Sequence, residues 1–269
     1  MQDLPERVQE KPKTSVMRLA FITTCMDRLD HVKQSVPALL QREIRIDGVR
    51  NFFVFVDYMC PDKSGDWVTS SFPQLSSVVQ VPVPPLPDGA APVFHKSGAM
   101  NRGAVRAIGL GADFLVFLDA DTIVTPEFFD FVFEHARPDR FLFCNPPIEK
   151  RDLCGLLCVP KDSFELLGGF DERMIGWGTE DLDMRMRLHF FAGLEWTIIP
   201  HELSQAIPHS NELRERHSPF SLRESNDRNK QIMISGMPPL SDEQQETAKL
   251  LLWVGETTLW PSPNQIKST

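Results

Sequence analysis

Asp119 and Asp121 stand two residues apart at the end of an apolar run, FLVFLDADTIV, residues 114–124. Two carboxylates that close repel each other, so the pair asks for a cation, a proton or a sugar hydroxyl. A D-x-D at a strand end has two chemical uses. It holds a divalent metal that bridges a nucleotide diphosphate. Alternatively, its first aspartate attacks a phosphoryl group and its second moves the proton. A third reading is a pair of solvated carboxylates at a turn.

Downstream residues bear on that choice. GWGTEDLDMRMR, residues 176–187, places Glu180 and Asp181 in the first turn of a helix, behind a Gly-Trp-Gly loop. Acids there interact favourably with the helix dipole and its free N–H groups, and Thr179 is a candidate N-cap. That accounts for the acids but not for Gly176, Trp177 and Gly178. Glycines let a chain approach a ligand closely, and an indole stacks on the C–H face of a sugar. PHS, residues 208–210, offers His209 as a metal ligand through a ring nitrogen, with His217 and His201 as rivals. Met184, Met186 and Phe190 read as core.

The elements that must carry these residues alternate. RLAFITTC (18–25) reads as a buried strand, DHVKQSVPALLQ (30–41) as a helix, and NFFVFVDYM (51–59) as a strand ending in the turn CPDKSGDW (60–67). SSVVQVPVP (76–84) is a third strand, closed by a proline-rich loop from Pro82 to Pro92. HKSGAMNRGAVRAIGLG (95–111) is a helix with Ala99, Val105 and Ile108 near one face, stopped by Gly109 and Gly111. DFLVFLDAD (113–121) is the fourth strand. This pattern predicts an α/β fold with a mostly parallel central sheet flanked by helices. A ligand then sits at the carboxyl ends of the strands. Asp57, Asp119, Thr24 and Arg28 all follow such ends. In the second half, a strand (154–160), a short helix (161–168), a loop (169–178), a helix (179–191) and a strand (194–200) are expected. No repeat is visible.

Composition narrows the classes. A formal net charge of −9 argues against a general nucleic-acid binder, which needs a basic face, but not against a nucleotide held by a metal. No 18-residue apolar run predicts a transmembrane helix. The polar first 16 residues lack the apolar core of a secretory signal and read as a flexible arm. The five cysteines, Cys25, Cys60, Cys144, Cys154 and Cys158, show neither disulfide nor zinc spacing and read as reduced and structural, which points to a cytoplasmic location. The tail, 241–269, opens as a helix at Ser241. Its apolar patch, Leu250, Leu251, Leu252 and Trp253, packs on the domain or serves an oligomeric or peripheral contact.

LDADTIV, then GGFDERMIGWGTEDLDMRMR, then PHS, in that order, resemble the GT-A glycosyltransferases. The likeness is to the family-2-like enzymes and the galactosyltransferase C-terminal type, whose hallmark is W-G-x-E-D, and it covers roughly residues 17–230. FITTCMDR and FHKSGAMNRGAVRAIGLGADFLVFLDAD are similar to the nucleotide-binding half of those enzymes. The usual hallmark often carries an aspartate directly after E-D; here Leu182 intervenes before Asp183.

The resemblance implies one GT-A catalytic domain over 17–240, with a Rossmann-like nucleotide-sugar half (17–124) and an acceptor half (125–240). It implies a divalent metal, Mn2+ or Mg2+, on Asp121 and His209, with Asp119 on the ribose or a metal-bound water. Thr24, Arg28, Asp57, Lys96 and Asn101 become candidate nucleotide contacts, and Trp177 and Gly178 candidate acceptor contacts. Asp181 becomes the general base, with Glu180 as its partner. The implied reaction moves a hexosyl or similar group from a nucleotide-diphospho sugar, UDP favoured over GDP, to a saccharide or other hydroxyl acceptor, with inversion. The polar run 210–230 reads as a lid over the donor. Two other readings stand beside it. One is a haloacid-dehalogenase-type phosphatase, which LDADTIV also resembles. That family has its D-x-D on the first strand and a later G-D-x-x-x-D, which is not found here. The other is a non-catalytic sugar-nucleotide or glycan-binding module.

Overall fold

Alternation along the first strand sets the layers. In β1 (Met17–Cys25), Leu19 and Phe21 pack into one core while Ala20 and Ile22 pack into a second on the other face. The computed structural model describes residues 16–40, 49–74, 76–82 and 92–251. The expected arm up to residue 15, most of the proline-rich loop, and Leu252 and Trp253 of the tail patch lie outside these residues.

The first half continues with α1 (Leu29–Leu40), β2 (Val49–Asp57), α2 (Ser64–Ser71), β3 (Ser76–Gln80), α3 (Lys96–Gly109) and β4 (Phe114–Asp119). Then come β5 (Thr122–Val124), α4 (Pro126–His135), β6 (Arg140–Cys144), β7 (Leu157–Pro160), α5 (Lys161–Leu166), α6 (Glu180–Phe190) and β8 (Glu195–Ile199). The chain ends its described part with β9 (Ser204–Ala206), α7 (Asn211–Glu215), α8 (Leu222–Gly236) and α9 (Asp242–Leu251). Among the described residues seven strands form one sheet in the order β3-β2-β1-β4-β7-β6-β8, and β5 pairs with β9 in a separate ribbon. All neighbours in the main sheet run parallel except β7, which is antiparallel to both β4 and β6. One core gathers α1, α2 and α4, and the other gathers α3, α5, α6, α8 and α9.

Some expectations change. The segment 60–67, expected as a turn, contains the start of α2. The third strand ends at Gln80 rather than running on. On α3 the buried face is Ala99, Gly103, Ala104 and Ala107, and Val105 is 71% exposed rather than inward. Close approach explains this: a Cβ on Gly103 would stand 2.6 Å from Ile22 Cγ2 and 2.8 Å from Val56 Cγ2, so only the small-residue face fits the sheet. Residues 210–230, expected as a lid, include α7 and most of α8, whose Ser221 and Glu224 form a capping box. The tail helix starts next to Ser241, as expected; Leu251 is buried and Leu250 is 60% exposed. Among the described residues no helix is long and apolar enough to cross a membrane. All five cysteines are free.

Candidate active site

Strand register brings the first acids to one edge. Thr24 of β1 is level with Asp119 of β4, and Cys25 is level with Asp57 of β2. The chain then passes Asp121 into β5, which pairs with β9 through Thr122–Ala206 and Val124–Ser204. Ile207 N–H donates to the Asp121 carbonyl at 2.8 Å, extending that ribbon. The ribbon therefore sets His209, two residues on, against Asp121: Nε2 lies 2.7 Å from Oδ2. The hydrogen bond to Asp121 holds the imidazole above its ordinary pKa. Burial pushes Asp121 up, but the His209 bond and charge outweigh it and leave the carboxyl below its usual value.

Lys96, the first residue of α3, bridges the two halves of the site. Its Nζ lies 2.8 Å from Asp119 Oδ1 and 3.0 Å from Glu180 Oε1. Burial would lower the ammonium pKa, but Asp119, Glu180 and Asp181 push it well above normal. Asp119 and Glu180 are themselves raised, by burial first and only partly offset by Lys96. One ammonium thus faces an excess of carboxylates at the cleft wall. Glu180 Oε2 is buried and has no hydrogen-bond partner among the described residues. Such a site favours a further cation. Among the described residues no three His, Cys, Asp or Glu side chains cluster as a complete metal site.

The Gly-Trp-Gly loop is held from behind by α8. Gly176, Gly178 and Thr179 have φ of 83°, 95° and 79°. A Cβ on Gly176 would lie 2.2 Å from Ser225 Oγ, so this glycine is required by both conformation and space. Asn229 Nδ2 donates to the carbonyls of Ile175 (3.3 Å) and Gly178 (2.9 Å). Thr179 occupies the N-cap position of α6 without a capping bond; its hydroxyl donates to Asn226 Oδ1 at 3.0 Å. The guanidinium carbons of Arg151 and Arg214 each lie 5.9 Å from the centre of the Trp177 ring.

A cleft of about 330 Å³ joins these parts. Its walls include Thr24, Arg28, Lys96, Asp119, Asp121, Trp177, Gly178, Glu180, Asp181 and His209, so ten of the expected site residues meet there. Two expected nucleotide contacts are not on its wall. Asp57 Oδ1 accepts the Cys60 N–H at 2.8 Å, and its other oxygen is close against Gly65. Asn101 is used up by the loop before α6: it accepts from Phe170 N–H at 2.8 Å and donates to the Phe170 carbonyl at 2.9 Å. The rival histidines have other partners, His217 on Asp27 at 3.2 Å and His201 on Glu202 at 3.2 Å. Asp183 pairs with Arg187 at 2.7 Å inside α6 and is a structural acid.

Residues not singled out in the sequence also line the cleft, among them Asp152, Arg214 and Gly155. Arg214 donates to Asp152 at 2.6 Å. Gly155 carries its own signal only in three dimensions, because a Cβ there would be 2.3 Å from Asp119 Oδ2. Gly155→Ala is therefore expected to displace the Asp119 carboxylate. Any turnover that the cleft supports is expected to fall by roughly 10-fold or more, the scale of an ångström-sized misplacement at a reacting centre. The melting temperature moves little. Full turnover in a correctly folded Gly155→Ala chain would show that Asp119 does not need its present place.

Comparison with known proteins gives the same part of the chain prominence. A family described as the N-terminal domain of galactosyltransferase matches residues 143–215, which contain both the W-G-T-E-D segment and His209. No curated protein matches the chain. A Drosophila β1,4-galactosyltransferase 7 in complex with manganese, UDP-Gal and xylobiose superposes with TM-score 0.52 at 18% identity, covering 78% of this chain and 79% of that one. A mannosyltransferase from Pyrobaculum calidifontis in complex with GDP-Man and Mn2+ superposes with TM-score 0.57 at 14% identity over 97% of this chain and 86% of that one. TarS of S. aureus, residues 1–349, gives TM-score 0.53 at 12% identity over 81% and 69%. The chain has the GT-A glycosyltransferase fold.

Proposed function

We propose that the protein is a metal-dependent, inverting glycosyltransferase that moves a sugar from a nucleotide-diphospho donor to an acceptor hydroxyl. The observation that carries this reading is the single cleft shared by the Asp121–His209 pair and the Glu180–Asp181 pair behind Trp177. The likeness to structures that hold UDP-Gal or GDP-Man with manganese supports it.

Asp121 and His209 would hold a divalent ion together with the donor's phosphates, and that ion supplies charge neutralisation to the leaving diphosphate. The excess of carboxylates around Lys96, with Glu180 buried among them, fits such a cation. Lys96 holds Asp119 and Glu180 in place. Arg28 sits on the cleft wall with its guanidinium on the Leu213 carbonyl, which positions a positive charge at the donor end. Trp177 offers its face to the acceptor sugar. Asp181 takes the proton from the acceptor hydroxyl while that oxygen bonds to the anomeric carbon. The bond from that carbon to the diphosphate oxygen breaks, and its electron pair leaves with the diphosphate.

Melting the purified chain with UDP- and GDP-sugars, with and without manganese, tests the reading. At least one donor is expected to raise the melting temperature only when manganese is present, and UDP-sugars are expected to outrank GDP-sugars. The best binder then serves as donor in product analysis. Stabilisation by no nucleotide sugar, together with no transfer product, would sink the proposal.

A further inference from the structure

Below the proposed base lies a charge that the mechanism has not used. Arg185, one helical turn after Asp181 on α6, is completely buried. Its Nη2 is 4.0 Å from Asp181 Oδ2, the ion pair that the described residues provide for it. The same nitrogen donates to the carbonyls of Cys144, at 3.2 Å, and of Cys154. Nη1 reaches the Leu251 carbonyl of α9 at 3.4 Å, and the guanidinium carbon lies 4.4 Å from the centre of the Phe143 ring. Nε is buried and has no hydrogen-bond partner among the described residues.

A buried guanidinium with an orphan N–H is an expensive way to fill a core, because an apolar side chain of similar volume would avoid the desolvation. What it uniquely supplies here is a fixed positive charge behind the carboxylate that faces the acceptor. It also holds the Cys154 carbonyl, and the next residue, Gly155, abuts Asp119 on the donor side. The guanidinium therefore ties Asp181 and the turn against Asp119 into one unit.

We propose that Arg185 is a positioning residue for the transfer reaction: it fixes Asp181 toward the acceptor and keeps that carboxylate in register with the donor carboxylate Asp119. This rests on the transferase reading above.

The test compares Arg185→Lys, Arg185→Gln, Asp181→Asn and the Arg185→Gln/Asp181→Asn double variant of the full chain. Arg185→Gln is expected to lower kcat about 10–100-fold, the scale seen when a group that orients a reactive ligand is lost. Donor KM and manganese-dependent nucleotide affinity stay within about twofold. Arg185→Lys, which keeps the charge, recovers most of the loss. A role in folding alone would lower activity in both variants in step with their melting temperatures, and that outcome overturns the proposal.

A second readout does not depend on activity. Asp181→Asn strips a buried cation of its anion and is expected to lower the melting temperature by several degrees in the parent. It should have little effect in the Arg185→Gln background. Equal losses in the two backgrounds would overturn the pairing. A parent chain that transfers no sugar sinks the transferase reading and this role with it, while the melting cycle still reports whether the pair exists.

Discussion

Asp121→Ala is expected to all but abolish sugar transfer and to remove manganese-dependent binding of UDP or GDP. The fold should survive the change, because the part of Asp121 that builds the ribbon is its carbonyl, bonded to Ile207 N–H at 2.8 Å. What disappears is the carboxylate facing His209 across 2.7 Å. Neutralising a leaving diphosphate is worth several kcal/mol, so transfer is expected to fall by about 10³-fold or more. His209→Ala removes the weaker of the two candidate ligands and should reduce metal affinity by a smaller factor. A titration of nucleotide binding against manganese separates these outcomes. If Asp121→Ala binds nucleotide as tightly with metal as the parent does, the assignment is wrong. An unchanged titration in His209→Ala would move the second ligand to His217, which also lines the cleft.

Much of this site could be read from one dimension because strand ends and short motifs place side chains locally. The run before Asp119 had to be a buried strand, and the register of Thr24 with Asp119 follows from parallel pairing of two such strands. The W-G-T-E-D segment could be placed at a helix start because acids cluster in a first turn. Other placements depend on long-range packing. Asn101, a candidate nucleotide contact on α3, has its amide satisfied by the Phe170 backbone, 69 residues away. Val105 was placed inward by helical spacing, whereas contact with Ile22 and Val56 selects the small-residue face. Arg185 carried no sign of its burial, since a charged residue four places after an aspartate reads as an exposed i,i+4 pair. The antiparallel β7 was equally hidden, because CGLLCVP is apolar in either direction.

The second large effect is expected from Asp181→Asn. A general base acts on the acceptor hydroxyl and has little to do with donor binding. Asparagine keeps the shape and the place in the first turn of α6 but cannot take the proton. Donor and metal affinity should therefore stay within about twofold of the parent while transfer falls roughly 10²–10⁴-fold. The competing view is that Glu180 and Asp181 merely stabilise a helix start, which would leave turnover nearly intact. The geometry separates the two acids. Glu180 is held by Lys96 at 3.0 Å, and Lys96 also holds Asp119, so Glu180→Gln is expected to disturb donor and acceptor KM together. Asp181 has Arg185 behind it at 4.0 Å and the cleft in front. Loss of that charge should lower the melting temperature by several degrees through the stranded guanidinium, yet a folded chain assayed well below its melting point would still show the full drop in turnover. A folded and fully active Asp181→Asn would remove the base from the mechanism and leave Glu180 as the next carboxylate able to take the proton.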